Sequence, residues 1–505
     1  MRDLWLGIDA GTTAVKAAVY DRMGVQHGAG EAPSPVERPS GGFSEQDMDA
    51  VWMSVAAAVR EAVATAGAHR IACVGVCAQG DGLWTLNAEG APNGRALLWN
   101  DTRAADDVTD LIESGRSAPV GRACHTAIWP GASGALFRWL EGSEPAQAAA
   151  VANLIYCADW VGYRLTGELA SDLSNATIPF LDLASGGYSN AAIAALDCGR
   201  LASLLQPPRR ADQILGRVTS AAAVASGLGE GTPVSVGTLD LSAMIVGMGM
   251  DRPGQTMMVL GTTAVVNILT DRIEPADHPV GATVMHATSD VMIRVLAPTT
   301  GAVAFDWFTG LHPQSLGGES PAEIAAKLND LAGDVPPGAN GVMFLPYLNG
   351  ERAPFVAPRA RGAFHGLTPA TSQADMGRAV MEGAAFSLRH CFEAEGGLPD
   401  ERVHLTGGGA RNRLWRQIVA DVIGAPVVVS EASDHGLWGA ACIGAAAAGM
   451  GQACRLAERS EDSETVTPDA ARRVAYDQHF ARYRAVSEAS PPIWAALVEG
   501  GDSGP

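Results

Sequence analysis

Two carboxylates and two glycine-opened turns are the residues here whose types and spacing can do chemistry. Asp9 stands just before Gly11-Thr12-Thr13 in the run GIDAGTTAVKAAVYD, and the letters GTTAV return at Gly261 to Val265 within VLGTTAVVNI. A turn of Gly, Thr and Thr presents backbone N–H groups and hydroxyls in one direction, which suits phosphate oxygens. One copy in each of two domains would set two such turns on the same polyphosphate. Asp9 can hold magnesium, directly or through water, because that ion prefers oxygen ligands and keeps several waters. The alternative is that Asp9 caps its turn and the threonines only satisfy backbone groups. Asp240, in PVSVGTLDLSAMIVG over 233–247, is delivered to a loop after Gly237 by a strand over Pro233 to Val236. A carboxylate at the carboxyl end of a strand is where ligands of α/β sheets bind. A helix N-cap explains Asp240 equally well at this stage.

The elements that must position these residues are legible in outline. Leu4 to Ile8 and Val15 to Tyr20 are β-prone runs around the first turn, and Ala264 to Leu269 repeats that layout after the second. Ser44 is the expected cap of a helix whose apolar positions Val51, Trp52, Val55, Val59 and Val63 follow the helical period. A strand over Ile71 to Ala78 ends at Gln79-Gly80-Asp81-Gly82. Near the other end, Val403 to Leu405 reads as a strand, Thr406 to Asn412 as a loop, Leu414 to Ile423 as a helix and Pro426 to Val429 as a strand. Strands alternating with helices in both halves predict two α/β domains, placed at 1–244 and 245–505. Weak points fall at Gln206-Pro207-Pro208, Val335 to Asn340 and Ser460 to Asp469, and the tail Gly500 to Pro505 is expected to be disordered.

Composition narrows the partners. The 505 residues carry 35 basic and 55 acidic side chains, a net charge of −20 that repels nucleic acid and anionic membranes. The cysteines, at 73, 77, 124, 157, 198, 391, 442 and 454, form no C-x-x-C pair, so they read as reduced thiols of a cytoplasmic protein and not as a zinc site. The most apolar stretch, Gly436 to Gly451, is built of small residues and is too short to span a bilayer, so it reads as a buried helix.

With the hairpins, LLWNDTRA (97–104), GTLDLSA, FLPYLNGERAP (344–354), GAFHGLTPATSQADMGRAVMEG (362–383) and LTGGGARNRLW (405–415) in this order, nearly the whole chain resembles the FGGY carbohydrate kinases. The resemblance implies two ribonuclease-H-like, actin-like ATPase domains flanking a central cleft that closes on its ligands. It implies ATP and Mg2+, a small sugar or polyol substrate and a homodimer. Residue by residue, it makes Asp240 the general base and Asp9 a magnesium-linked carboxylate, with Asp240 beside the same metal. It turns Gly11, Thr12, Thr13, Lys16, Gly261, Thr262 and Thr263 to the phosphates, and Gly407, Gly408, Gly409, Ala410 and Asn412 to adenosine. Gln79, Asp81, Asp101 and Arg103 become substrate contacts, with Asp101 and Arg103 either paired at the domain surface or bridging to the sugar.

Xylulose kinases of this family carry Gln-Met-His-Gly where this chain has Gln79-Gly80-Asp81-Gly82. The change predicts extra room at Gly80 and two acceptor oxygens at Asp81, unless Asp81 caps its turn. A ketopentose of the xylulose or L-xylulose type is expected, with a linear polyol such as erythritol as the alternative and a silent sugar sensor as the alternative of another class. Trp84, Trp99 and Trp129 are candidates for an apolar wall under the sugar or for core packing. Leu136 stands where the family usually has lysine.

Overall fold

The computed structural model describes residues 2–311, 320–430, 434–450 and 463–499. Cys454 and the tail 500–505 lie outside the described residues, as does the start of the polar stretch at 460–462. The chain forms two units, each assembled from separated segments. One takes Met1–Arg252, Thr270–Ile293 and Ala432–Glu461; the other takes Pro253–Leu269, Arg294–Glu431 and Asp462–Pro505.

In the first unit β1 (Leu4–Ala10) and β2 (Ala14–Tyr20) make the expected hairpin, with Asp9 opposite Lys16 and Ala10 opposite Val15. β1 is apolar on both faces because it lies inside the sheet: β3 (Gln26–Pro33) continues beyond β2, and β4 (Ile71–Ala78) runs parallel to β1 on its other side. β5 (Ile214–Arg217) and β6 (Pro233–Ser235) complete the order β5-β6-β4-β1-β2-β3, and the short β7 (Thr238–Leu239) also pairs with β4. Gly237, at φ 94°, makes the break between β6 and β7 that an L side chain would resist. α1 (Met48–Ala66) buries Val51, Trp52, Val55, Val59 and Val63 as its period predicts. Its cap is Asp47, whose side chain accepts the Ala50 N–H, and not Ser44. The reason is tertiary: Glu45–Gln46 is still extended, paired with Ala96–Leu97. α2 (Cys157–Thr166) supplies further core residues, and α3 (Asp240–Gly247) starts directly after β7.

The second unit repeats the plan. β8 (Thr256–Leu260) and β9 (Ala264–Thr270) form the second hairpin. The long α4 (Gln373–Ala394) opens with a capping box of Ser372 and Asp375. β10 (Val403–Thr406) runs parallel to β8, just as β4 does to β1. α5 (Arg413–Ile423), β11 (Val427–Ser430) and the antiparallel β12 (Ser463–Val466) follow, giving the run β9-β8-β10-β11-β12.

The chain then returns to the first unit. α6 (His435–Ala447) is the buried small-residue helix foreseen from 436 onward, and it packs on β1, β4 and α3. Backbone meets backbone there: a Cβ on Gly7 would strike Leu437 O, one on Gly75 would strike Ala440 O, and one on Gly439 would strike Ala243 O. This return, together with Thr270–Ile293, makes the first unit discontinuous, where the expectation was a single cut between 244 and 245. Among the described residues the seven cysteines are buried, and no helix is long and apolar enough to cross a membrane.

Candidate active site

The first unit brings Asp9 and Asp240 into electrostatic contact. Asp9 sits near the end of β1, in register with Cys77 on β4 and Lys16 on β2. Its Oδ1 is buried and has no hydrogen-bond partner among the described residues. Burial pushes its carboxyl up to about 6, against the pull of Lys16 and the Cys77 thiol. Asp240 is the first residue of α3, so it is not the cap; Leu239 holds that place. Its Oδ1 accepts the Leu241 N–H at 2.6 Å. The side chain keeps solvent access, yet the protein crowded around it, and then the Asp9 charge, raise it to about 7. Two raised carboxylates, one of them raised in part by the charge of the other, are both ionised most readily with a cation beside them. Among the described residues no cluster of three or more metal-binding side chains exists. That donor set, with the orphaned Oδ1 of Asp9, fits magnesium, which takes one or two carboxylates and fills the rest of its shell with water and phosphate oxygens.

Side chains hold the turn between β1 and β2. Thr12 Oγ1 donates to Gln79 Oε1 (2.8 Å), Gln79 Nε2 donates to Gln46 Oε1 (2.7 Å), and Gln46 Nε2 donates to Thr12 O (3.0 Å). Trp99 Nε1 adds a bond to Thr12 Oγ1 at 3.2 Å. Gln79 is therefore a buried brace of the Gly11–Thr13 turn with both ends of its amide engaged. Gln46 was not foreseen; no local pattern marks a glutamine whose partner is the 12–79 pair. Lys16 is exposed on β2, across from Asp9, and Thr13 is exposed at the turn.

Main-chain groups hold the second turn instead. Gly301 N donates to Thr262 O (3.0 Å), Ala302 N to Gly261 O (2.6 Å) and Ala264 N to Pro298 O (3.3 Å). Thr262 is exposed, while Gly261 and Thr263 are half-buried. The glycine loop lies against this hairpin: Gly407, at φ 97°, has Leu260 backbone where a Cβ would be, and Gly409 abuts the Leu260 side chain. Gly408 is the exposed member, whereas Gly409 and Ala410 are buried. Asn412 caps α5, accepting from Trp415 N (3.1 Å) and donating to Asn329 Oδ1 (2.7 Å), so its amide is committed to structure.

Other expected contacts are corrected. Asp101 and Arg103 do pair, but the pair is buried: Arg103 Nε and Nη2 donate to the two Asp101 oxygens (3.0 and 2.9 Å), and Nη2 also meets Glu45 (2.5 Å). Asp101 also accepts the Ser44 N–H at 2.7 Å, and the Arg103 guanidinium lies 4.1 Å over the Phe43 ring. Both Asp101 oxygens and the Nε and Nη2 groups of Arg103 are thereby engaged, while Nη1 takes part in none of these bonds. Gly80 opens no room, because Leu239 Cδ1 occupies the place of its missing side chain. Asp81 is buried in a left-handed conformation (φ 54°); its Oδ1 accepts the Ser133 N–H at 3.0 Å, leaving one oxygen, Oδ2, without a partner. Burial pushes its carboxyl well up. Trp84 is fully buried core, while Trp99 is exposed and Trp129 donates to Trp99 O at 3.1 Å. Leu136 is sealed in an apolar cluster with Phe137 and Phe180, a setting that suits leucine and not lysine.

Known proteins match this arrangement from end to end. The model for the FGGY family of carbohydrate kinases matches as an N-terminal domain over residues 4–247 and as a C-terminal domain over 256–448. The chain is 30% identical to the erythritol kinase of Brucella abortus, over 99% of this chain and 98% of that one. It is 29% identical to a xylulose kinase of Escherichia coli, over 97% and 100%. The crystal structure of xylulose kinase from Rhodospirillum rubrum superposes with a TM-score of 0.86 at 26% identity, covering 97% of this chain and all of that one. With both family domains matched in order and relatives similar along their full length, the chain belongs to the FGGY family of carbohydrate kinases and is an ATP-dependent sugar kinase.

Proposed function

We propose that the protein transfers the γ-phosphate of ATP to a hydroxyl of a ketopentose of the xylulose or L-xylulose type, with Asp240 as general base. The observation that carries the reading is the coupled pair of Asp9 and Asp240. A substrate hydroxyl gives its proton to Asp240 as its oxygen bonds to the γ-phosphorus and the bond to the ADP oxygen breaks. A carboxylate raised to about 7 holds that proton better than an ordinary aspartate does. Magnesium, held through Asp9 directly or by water, would neutralise charge on the transferring phosphates. Gly11 to Thr13 and Gly261 to Thr263 serve the phosphates, and the exposed Gly408 borders the adenosine site.

Asp81 bears on the acceptor through Oδ2 alone. Protonated, that oxygen donates to a ketone; ionised, it accepts from a hydroxyl. The likeness to erythritol kinase favours a linear polyol as the second reading. ADP release with Mg-ATP is to be measured against D- and L-xylulose, ribulose, erythritol, xylitol and glycerol, for the wild type and for Asp240→Asn. We expect a ketopentose to respond most strongly and Asp240→Asn to lose about 10²–10⁴-fold in turnover. Undiminished turnover in the mutant removes Asp240 as base, and a response to erythritol alone replaces the ketose by a polyol.

A further inference from the structure

The segment Ser171-Asp172-Leu173-Ser174-Asn175 holds a carboxylate that the phosphoryl-transfer reading leaves unused. Asp172 is 1% exposed, and no cation pairs with it among the described residues. It is held by neutral donors alone. Its Oδ1 accepts from Asn175 N (3.2 Å) and Asn175 Nδ2 (2.6 Å); its Oδ2 accepts from Ser174 N (2.8 Å), from the Ser174 hydroxyl and from Thr238 Oγ1 (3.1 Å). Burying a carboxylate with no counter-charge is costly, and only a group that accepts at both oxygens can meet five donors. Asparagine would turn an NH2 toward some of them.

Two branches leave this carboxylate, and both end at residues of the site. The Ser174 and Thr238 hydroxyls touch each other at 2.9 Å as well as Asp172, so two hydroxyl hydrogens serve three contacts. Ser174 Oγ also accepts the N–H of Leu239 at 3.1 Å. Thr238 and Leu239 are the whole of β7, and Asp240 is the next residue. On the other branch, Asn175 Oδ1 faces the N–H of Asp81 at 3.4 Å and lies beside Gly80, while Leu239 packs into the space that Gly80 leaves. A second buried carboxylate, Asp159, steadies the segment from behind by accepting from Ser171 Oγ at 2.6 Å.

We propose that Asp172 is a positioning residue for phosphoryl transfer: through Thr238 and Ser174 it sets the direction in which Asp240 leaves the sheet, and through Asn175 it sets the place of Asp81. The inference rests on Asp240 being the base. A base misplaced by a fraction of an ångström loses turnover while nucleotide binding survives, so the signature is a fall in kcat at constant KM for ATP.

The test uses the full chain, Mg-ATP and L-xylulose or erythritol, whichever responds. Thr238→Val, which keeps the shape and removes the hydroxyl, should lower kcat about tenfold with KM for ATP unchanged, and Thr238→Ser should restore it. Ser174→Ala breaks the same link from the other side and should behave like Thr238→Val, which covers a folding failure of either. Combining Thr238→Val with Asp240→Asn should cost nothing beyond Asp240→Asn alone. A normal kcat in Thr238→Val, an equal loss in Thr238→Ser, or additive losses in the double variant overturns the inference while leaving Asp240 as base. Undiminished turnover in Asp240→Asn alone overturns the base assignment instead.

Discussion

Where the first hairpin carries Asp9 two positions ahead of its glycine, the second carries Val259, although the next letters of both turns agree. The supports differ as well. Gln46, Gln79 and Trp99 brace the first turn with side chains, whereas Pro298, Gly301 and Ala302 brace the second with main chain. The same five residues thus make two devices. One sets a carboxylate beside its turn, and its geometry depends on the identity of distant side chains. The other offers a plain cradle, whose geometry depends mainly on the backbone being able to approach.

The largest test of that contrast is Asp9→Asn beside Val259→Thr. Loss of an electrostatic group at the transition state costs on the order of 10²–10³-fold in kcat, which is expected for Asp9→Asn and not for Val259→Thr. Equal losses would mean that the hairpins are used alike. The pH profile sharpens the point. Asp240 accepts a proton only when ionised, so kcat/KM should fall as pH drops through about 7. Because the Asp9 charge helps to raise Asp240, Asp9→Asn should move that limb to lower pH, the two apparent values belonging to the pair. A limb that stays in place means the carboxylates are uncoupled.

Glycine substitutions come next. A Cβ on Gly301 would collide with the backbone of Gly261, Thr263 and Ala264, while one on Gly11 meets only Ala14 O at 3.0 Å. Overpacking of that kind costs about 1–3 kcal/mol, so Gly301→Ala should raise KM for ATP about tenfold and Gly11→Ala much less. The reverse order in an ATP titration would contradict a main-chain brace on the second turn. Smallest is Trp99→Phe, which removes one partly exposed hydrogen bond to Thr12. At about 0.5–1.5 kcal/mol it should weaken ATP use no more than about tenfold. No change at all would place the bracing of Thr12 with the glutamines alone.

What could be read from the sequence follows from range. The hairpins, β4 and the small-residue helix are set by local period and by glycine, so their positions were legible. The start of α1 was not, because the pairing of Glu45–Gln46 with Ala96–Leu97 delays it past Ser44. Gln79 resembled a sugar ligand because its partner Gln46 lies far away in the chain. Gly80 resembled open space because nothing local says that Leu239 fills it. Asp172 carries no local signal, for its place depends on Thr238, which only the fold brings near.

The return of α6 has a consequence for biosynthesis. The face of β1 and β4 that α6 covers is made early on the ribosome, and its cover emerges only after β8 to β11 of the second unit. At about 5–20 residues per second, that apolar face waits tens of seconds for its partner. The glycines at 7 and 75 make the wait harder to fill otherwise, since they fit a helix of small residues at backbone distance and little else. The first unit is therefore finished late, and a nascent chain stopped before residue 435 presents a sticky sheet to chaperones or to aggregation. Emergence of α6, more than the folding of the opening half, is the step that covers the sheet of the first unit.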